Sequence, residues 1–162
     1  HTGIRRQRQM CIRDREMTAR VPAIGGGNFI LLSKNRASCL SACEIAVNVM
    51  SEIDNIITPF PGGVVRSGSK VGSKYKALIA STNDAFCPSL SGITGSKLHK
   101  SVNCVMEIVI NGLTKEDIDK GIRESLIAIS KSKYKKDIVS VSAGNYGGKL
   151  GPHHFHLRKI LK

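Results

Sequence analysis

The chain has 162 residues, 41% of them apolar and 23% charged, which is the balance of one globular domain rather than a disordered segment. No run of about 18 apolar residues occurs, which argues against a membrane span, and the N-terminus lacks the apolar core of a secretory signal. The net charge of +13 raises the prospect of nucleic acid, but aromatic residues make up only 4% and tryptophan is absent, so a base-stacking surface would be thinly supplied.

Charge is unevenly placed. The first twenty residues, HTGIRRQRQMCIRDREMTAR, hold six arginines against Asp14 and Glu16, a net +4 that leaves +9 for the remainder. This stretch has no usable period, and residues 1–20 read as a non-native basic segment of the kind a sequencing artefact produces; the rival reading is a basic arm for nucleic acid. Residues 21–162 form the domain. Five cysteines, odd in number and without a CxxC pair, make neither a disulfide framework nor a zinc site. Cys39 and Cys43 at i, i+4, with Cys104 in an apolar strand, read as small buried thiols and fit a reducing cytoplasm.

From Val21 onward the elements follow in order. GGGNFILLS (25–33) enters an apolar strand through glycines. Leu40, Cys43, Val47, Met50, Ile53 and Ile57 recur at helical spacing, opposite Glu44, Asn48, Glu52 and Asn55, and Pro59 and Pro61 end that helix. A glycine-punctuated hairpin follows, from GGVVRSGSK to KYKALIAS, and then a loop over 82–101 containing Pro88, Gly92 and Gly95. NCVMEIVING (103–112) reads as a strand. Thr114 with Asp117 predicts a capping box, opening a helix with Ile118, Ile122, Leu126 and Ile129 on one face. DIVSVSAGNYGG supplies the last strand and loop. The order β-α-β-β, then β-α-β, predicts an α+β ferredoxin-like sandwich, an antiparallel sheet with helices packed on one face.

Four features offer chemistry. TPFPGGVVRSGSKVGSKYK (58–76) combines four glycines, two prolines and four basic residues without an acid. Gly63 and Gly68 have the spacing of a phosphate-binding loop, but Ser69 precedes Lys70 in the wrong order and no helix starts there, so nucleotide hydrolysis does not fit. SAGNYGGKLG (142–151) is a second glycine-rich loop leaving a strand; it is not GxGxxG, and it offers Asn145, Tyr146 and Lys149 as polar reach. Glu107 sits within CVMEIVI on the strand face of Val105 and Val109. A carboxylate there loses solvation, which suits a general acid or base; the plain alternative is an edge-strand glutamate paired with a lysine. His153, His154 and His156 read as an exposed terminal segment rather than a metal site, having no fixed carboxylate or thiol beside them.

Taken together, GGGNFILLS, TPFPGGVVRSGSKVGSKYKALIASTNDAFCPSL, VMEIVINGL and VSAGNYGGKLG closely resemble the formylmethanofuran:tetrahydromethanopterin formyltransferase family, from about Ala23 to the end. The resemblance implies a cytoplasmic, homotetrameric acyltransferase of one-carbon metabolism, serving methanogenesis or formaldehyde oxidation. Family chains are longer and have two similar lobes, and residues 21–162 are expected to be the C-terminal (distal) one. The resemblance further implies formylmethanofuran and tetrahydromethanopterin as carrier substrates, no protein-bound cofactor and no metal. Copies of the chain or a formyltransferase/hydrolase complex are the implied partners, with no nucleic acid or membrane. Glu107 matches the family's catalytic glutamate. The expected substrate-binding set is Arg66, Ser67, Ser69, Lys70, Lys74, Tyr75, Asn145 and Tyr146, with Arg66, Lys70, Lys74 and Lys76 attracting the anionic carriers. The competing expectation is a non-catalytic basic ferredoxin-like module for nucleic acid or a partner protein.

Overall fold

A computed structural model describes residues 21–67, 83–92, 95–144 and 152–162. The expected strand and helix of the first half become β1 (Ile24–Ser33) and α1 (Arg36–Ser51). Two short strands follow, β2 (Ile56–Ile57) and β3 (Val65–Arg66), then β4 (Cys104–Gly112), α2 (Lys115–Lys131), β5 (Ile138–Ser142) and a closing turn of helix, α3 (Leu157–Ile160). The sheet order is β2-β4-β1-β5, with β3 also pairing with β4, and every pairing is antiparallel. The architecture is therefore α+β, an antiparallel sheet with helices.

β1 and β4 form the centre of the sheet. Their ladder runs from Ile24 opposite Gly112 to Ser33 opposite Cys104. Because side chains alternate along a strand, this register sorts them onto two faces. Phe29, Leu31, Ile108 and Ile110 join the helices in the main core, whereas Ile30, Leu32 and Val105 form a second cluster with Val102, Phe86, Leu98 and Val139. One face is thus covered by helices, and the other by the loop segments before β4.

The first helix buries Cys43 and Met50 of the expected face, with Ile53 just beyond its end, but the face is rotated so that Leu40 turns outward. Its buried residues are Ser38, Cys39, Ala42, Cys43, Ala46 and Met50, while Leu40 is 42% exposed. The reason lies in its neighbour. Ser125 of α2 donates a hydrogen bond to the Ala46 carbonyl of α1 at 3.1 Å, and a Cβ added at Gly121 of α2 would stand 4.0 Å from Met50 Cγ of α1 and 2.8 Å from Ile56 of β2. Helices that approach this closely need small residues at the seam, so the narrow Ser/Cys/Ala face wins. The helix also stops at Ser51, well before the prolines, and Ile57 lies in β2 with 64% of its surface exposed.

The ends of both helices are fixed by side chains. Asn35 caps α1, its Oδ1 accepting from Ala37 N at 2.8 Å and Ser38 N at 3.3 Å. Ser38 Oγ donates to Asp137 Oδ2 at 2.5 Å and Ser33 Oγ donates to the Asp137 carbonyl at 2.9 Å, tying this end to the start of β5. The expected capping box is present on α2: Thr114 Oγ1 accepts from Asp117 N at 3.1 Å, and Asp117 Oδ2 accepts from Thr114 N at 3.1 Å. Ile118, Ile122, Leu126 and Ile129 are buried as their period requires.

The described cysteines, Cys39, Cys43, Cys87 and Cys104, are free and buried. A hydrogen bond with Cys43, together with burial, pushes the Cys39 thiol up. Burial, with Cys39 nearby, pushes the Cys104 thiol up from 9.0 to about 12. No helix among the described residues is long and apolar enough to cross a membrane.

Two outcomes follow for stability. Thr114→Ala, which opens the capping box, lowers unfolding free energy by about 1 kcal/mol, read as an earlier urea midpoint with unchanged slope. The raised thiols also set a pH dependence. An unfolded thiol ionises near the ordinary value of 9.0 while folded Cys104 keeps its proton to about 12, so stability is present below pH 9 and falls as pH rises through that window. Urea unfolding between pH 8 and 11 shows the decline, and Cys39→Ala with Cys104→Ala makes it shallower.

Candidate active site

The polar residues of the sheet's second face meet at one point. Glu107 lies at the middle of β4, opposite Ile30 on β1 and opposite Val65 on β3. Its strand has neighbours on both sides, so the edge-strand alternative does not describe it. Only 7% of Glu107 is exposed, and Asn28, Asn83 and Ser67 around it are equally or more deeply buried.

Each carboxylate oxygen of Glu107 meets a carboxamide. Asn28 Nδ2 donates to Oε1 at 2.5 Å, and Asn83 Nδ2 donates to Oε2 at 3.0 Å. Asn28 reaches Glu107 diagonally across the central ladder, since its own partner is Val109 and Ile30 is the partner of Glu107. Asn83 comes from the first described residue of the loop before β4. Ser67 Oγ donates to the Asn83 carbonyl at 3.2 Å, and Ser67 N donates to Val105 O at 3.4 Å, prolonging the β3–β4 ladder. Gly144, just beyond β5, donates its N–H to Asn28 Oδ1 at 3.0 Å. Three chain segments distant in sequence thus converge on one carboxylate: the end of β3, the loop at Asn83 and the exit from β5.

Glu107, Ser67 and Arg66 of the expected site are described, and they are adjacent. Ser67 is fully buried and joined to Glu107 through Asn83. Arg66 is exposed on the same short strand. Ser69, Lys70, Lys74, Tyr75, Asn145 and Tyr146 lie outside the described residues, as do Lys76, Lys149 and the second arm of the expected hairpin. Sequence reasoning missed Asn28, Asn83 and Gly144. Asn28 had a legible signal, a lone carboxamide in the apolar run GGGNFILLS on the parity of Ile30 and Leu32. Asn83 had none, because one more polar residue in a loop carries no pattern.

Other groups do not assemble. His153 and His156 are exposed, the His154 and His156 rings stand 6.3 Å apart, and no group of three or more metal-ligating side chains occurs among the described residues. Chemically, the Glu107 cluster can hold a carboxylate of fixed orientation and exchange a proton with a group beside it.

Comparison with known proteins gives the cluster its context. The family model described as FTR, proximal lobe, matches residues 11–160. It begins inside the segment 1–20 set aside above, and it is the model of the proximal lobe where the sequence suggested the distal one. A formylmethanofuran–tetrahydromethanopterin formyltransferase of Methylobacillus flagellatus is 58% identical over 146 residues, covering 90% of this chain and 48% of that protein. The crystal structure of a formyltransferase/hydrolase complex from Methylorubrum extorquens with methylofuran contains a chain 48% identical, with TM-score 0.75, over 86% of this chain and 46% of that one. The formylmethanofuran:tetrahydromethanopterin formyltransferase of Methanosarcina barkeri matches with TM-score 0.75 at 42% identity, over 86% of this chain and 47% of that one. The chain therefore spans about half the length of these relatives. A model match over most of its residues, in agreement with relatives of bacterial and archaeal origin, shows that the chain belongs to the formylmethanofuran–tetrahydromethanopterin formyltransferase family, in the region of the proximal lobe.

Proposed function

We propose that the chain is one lobe of an acyltransferase that moves a formyl group between formylmethanofuran and tetrahydromethanopterin, with Glu107 carrying the proton. The observation that supports this most directly is the buried carboxylate of Glu107, held by two carboxamides where three segments converge. The reaction asks for that kind of group. An amine nitrogen of the acceptor attacks the formyl carbon, a C–N bond forms, and the carbonyl pair moves onto oxygen. Collapse of this tetrahedral species breaks the C–N bond to the donor. The attacking nitrogen loses a proton and the leaving nitrogen gains one, so a carboxylate that accepts and returns a single proton closes the cycle. Backbone N–H groups of the glycine-rich loops, or Tyr75, are the proposed donors to the oxyanion.

The rest of the expected assignment belongs to the same proposal. The carriers are substrates rather than bound cofactors. Arg66, with Ser67, Ser69, Lys70, Lys74, Tyr75, Asn145 and Tyr146, makes the binding surface, its cations drawing in polyanionic carriers. Association with copies of the chain, or with a formyltransferase/hydrolase complex like that of the Methylorubrum extorquens neighbour, completes the cleft. A cytoplasmic setting accords with buried free thiols. The ferredoxin-like reading of the fold is supported by the order β2-β4-β1-β5, all antiparallel, with α1 and α2 in a single core on one face. The relatives, formyltransferases by name, do not favour the alternative of a basic binding module.

Glu107→Gln keeps the size of the side chain and removes its proton chemistry. It lowers kcat for formyl transfer by about a hundredfold or more with KM little changed, and full kcat in that variant would exclude the proton role. Charge reversal at Arg66, Lys70 and Lys74 raises KM for the carriers, and the effect shrinks as salt is added. A KM indifferent to these changes would remove the cations from the binding surface.

A further inference from the structure

We propose that Asn28 is a positioning residue that sets the orientation of the Glu107 carboxylate and couples it to the backbone N–H of Gly144. The inference deepens the reading of Glu107 given above and rests on it for its catalytic consequence.

The orientation of the Asn28 amide is determined by chemistry. A backbone N–H can only donate, so the side-chain atom facing Gly144 N at 3.0 Å is the carbonyl oxygen Oδ1. The amide nitrogen must then face the other way, toward Glu107 Oε1 at 2.5 Å. Asn83 Nδ2 holds Oε2 at 3.0 Å, so rotation of the carboxylate plane loses a bond at both oxygens. Burial makes that loss expensive: Asn28 is 5% exposed, Asn83 7% and Glu107 7%, leaving little water to replace a broken contact.

The far end of the relay is equally constrained. A Cβ added at Gly144 would lie 2.9 Å from Asn28 Oδ1 and closer still to Nδ2, so any side chain there displaces the Asn28 amide. Gly144 therefore reports on Asn28 without touching Glu107. The exit from β5 and the aim of the carboxylate thus share one side chain, that of Asn28.

The test is carried out on the full chain, labelled with 13C at glutamate carboxyls, in the variants Asn28→Ala, Asn28→Asp, Gly144→Ala and Glu107→Gln. The last of these assigns the Glu107 carboxyl resonance. Asn28→Ala removes the donor without adding a charge, whereas Asn28→Asp keeps the shape of the side chain but sets a second carboxyl against Glu107. The expected result is a displaced Glu107 resonance in the Asn28 variants and in Gly144→Ala, with the exposed Glu116 unmoved as a control. Formyl-transfer kcat falls about tenfold or more in the same three variants at nearly constant KM, the split expected of a misaimed group rather than of lost binding. An unmoved Glu107 resonance in Asn28→Ala overturns the proposal, and that variant decides the matter should Gly144→Ala fail to fold. The two readings fail separately. Full kcat in Glu107→Gln with a displaced resonance elsewhere removes the proton role and leaves Asn28 as the orienting group. Loss of kcat in Glu107→Gln, with resonance and kcat unchanged in the Asn28 variants, removes the positioning role alone.

Discussion

Pairing of β1 with β4 is the constraint on which the remaining structure depends. Both strands are flanked on each side, and their register decides which side chains meet the helices and which meet the loops. A slip of β4 by one residue would send Glu107 into the helical core, turn Ile108 outward and part Glu107 from Asn28. The same ladder therefore specifies the core and assembles the polar cluster. Its apolar pairs supply the burial that makes the register unambiguous, and the two polar residues use the precision so obtained.

Burial of a carboxylate between carboxamides has a cost that the surrounding geometry offsets. A carboxylate removed from water without partners is strongly unfavourable, and a half-satisfied cluster would be worse than an apolar one. Here both oxygens accept, and the bonds pass outward to the Gly144 backbone on one side and, through Asn83, to Ser67 on the other. The carboxyl group is thus tied, through its carboxamide partners, to the backbone of separate segments.

Much of this was legible in the sequence. The period of Ile118, Ile122, Leu126 and Ile129 and the Thr114–Asp117 box gave α2 with its cap, because local chemistry and tertiary burial agree there. The inward face of α1 was read in part: Cys43, Met50 and Ile53 are buried as expected, but Leu40 is exposed and the face is rotated toward Cys39, Ala42 and Ala46, where close helix contact favours small residues. Glu107 was visible as a carboxylate inside an apolar run. Its pairing with Asn28 and Asn83 was not, because they lie 79 and 24 residues away, and pairing across such distances is written in the register rather than in any local motif. The lobe itself was misassigned, since the family model that matches is that of the proximal lobe.

The two faces of the sheet differ in what sequence change does to them. The helix side is filled by apolar side chains of Phe29, Leu31, Ile108 and both helices, and packing there tolerates substitution as long as volume is conserved. The opposite side has an apolar cluster of its own around Ile30, Leu32, Val102 and Val105, but beside it stand donors and acceptors for which no volume-conserving substitute exists. Laboratory evolution toward heat resistance thus has its widest room on the helical side, where variants would accumulate stability without disturbing the Glu107 cluster. The sheet separates the adjustable part of the protein from the fixed part by the thickness of a single strand.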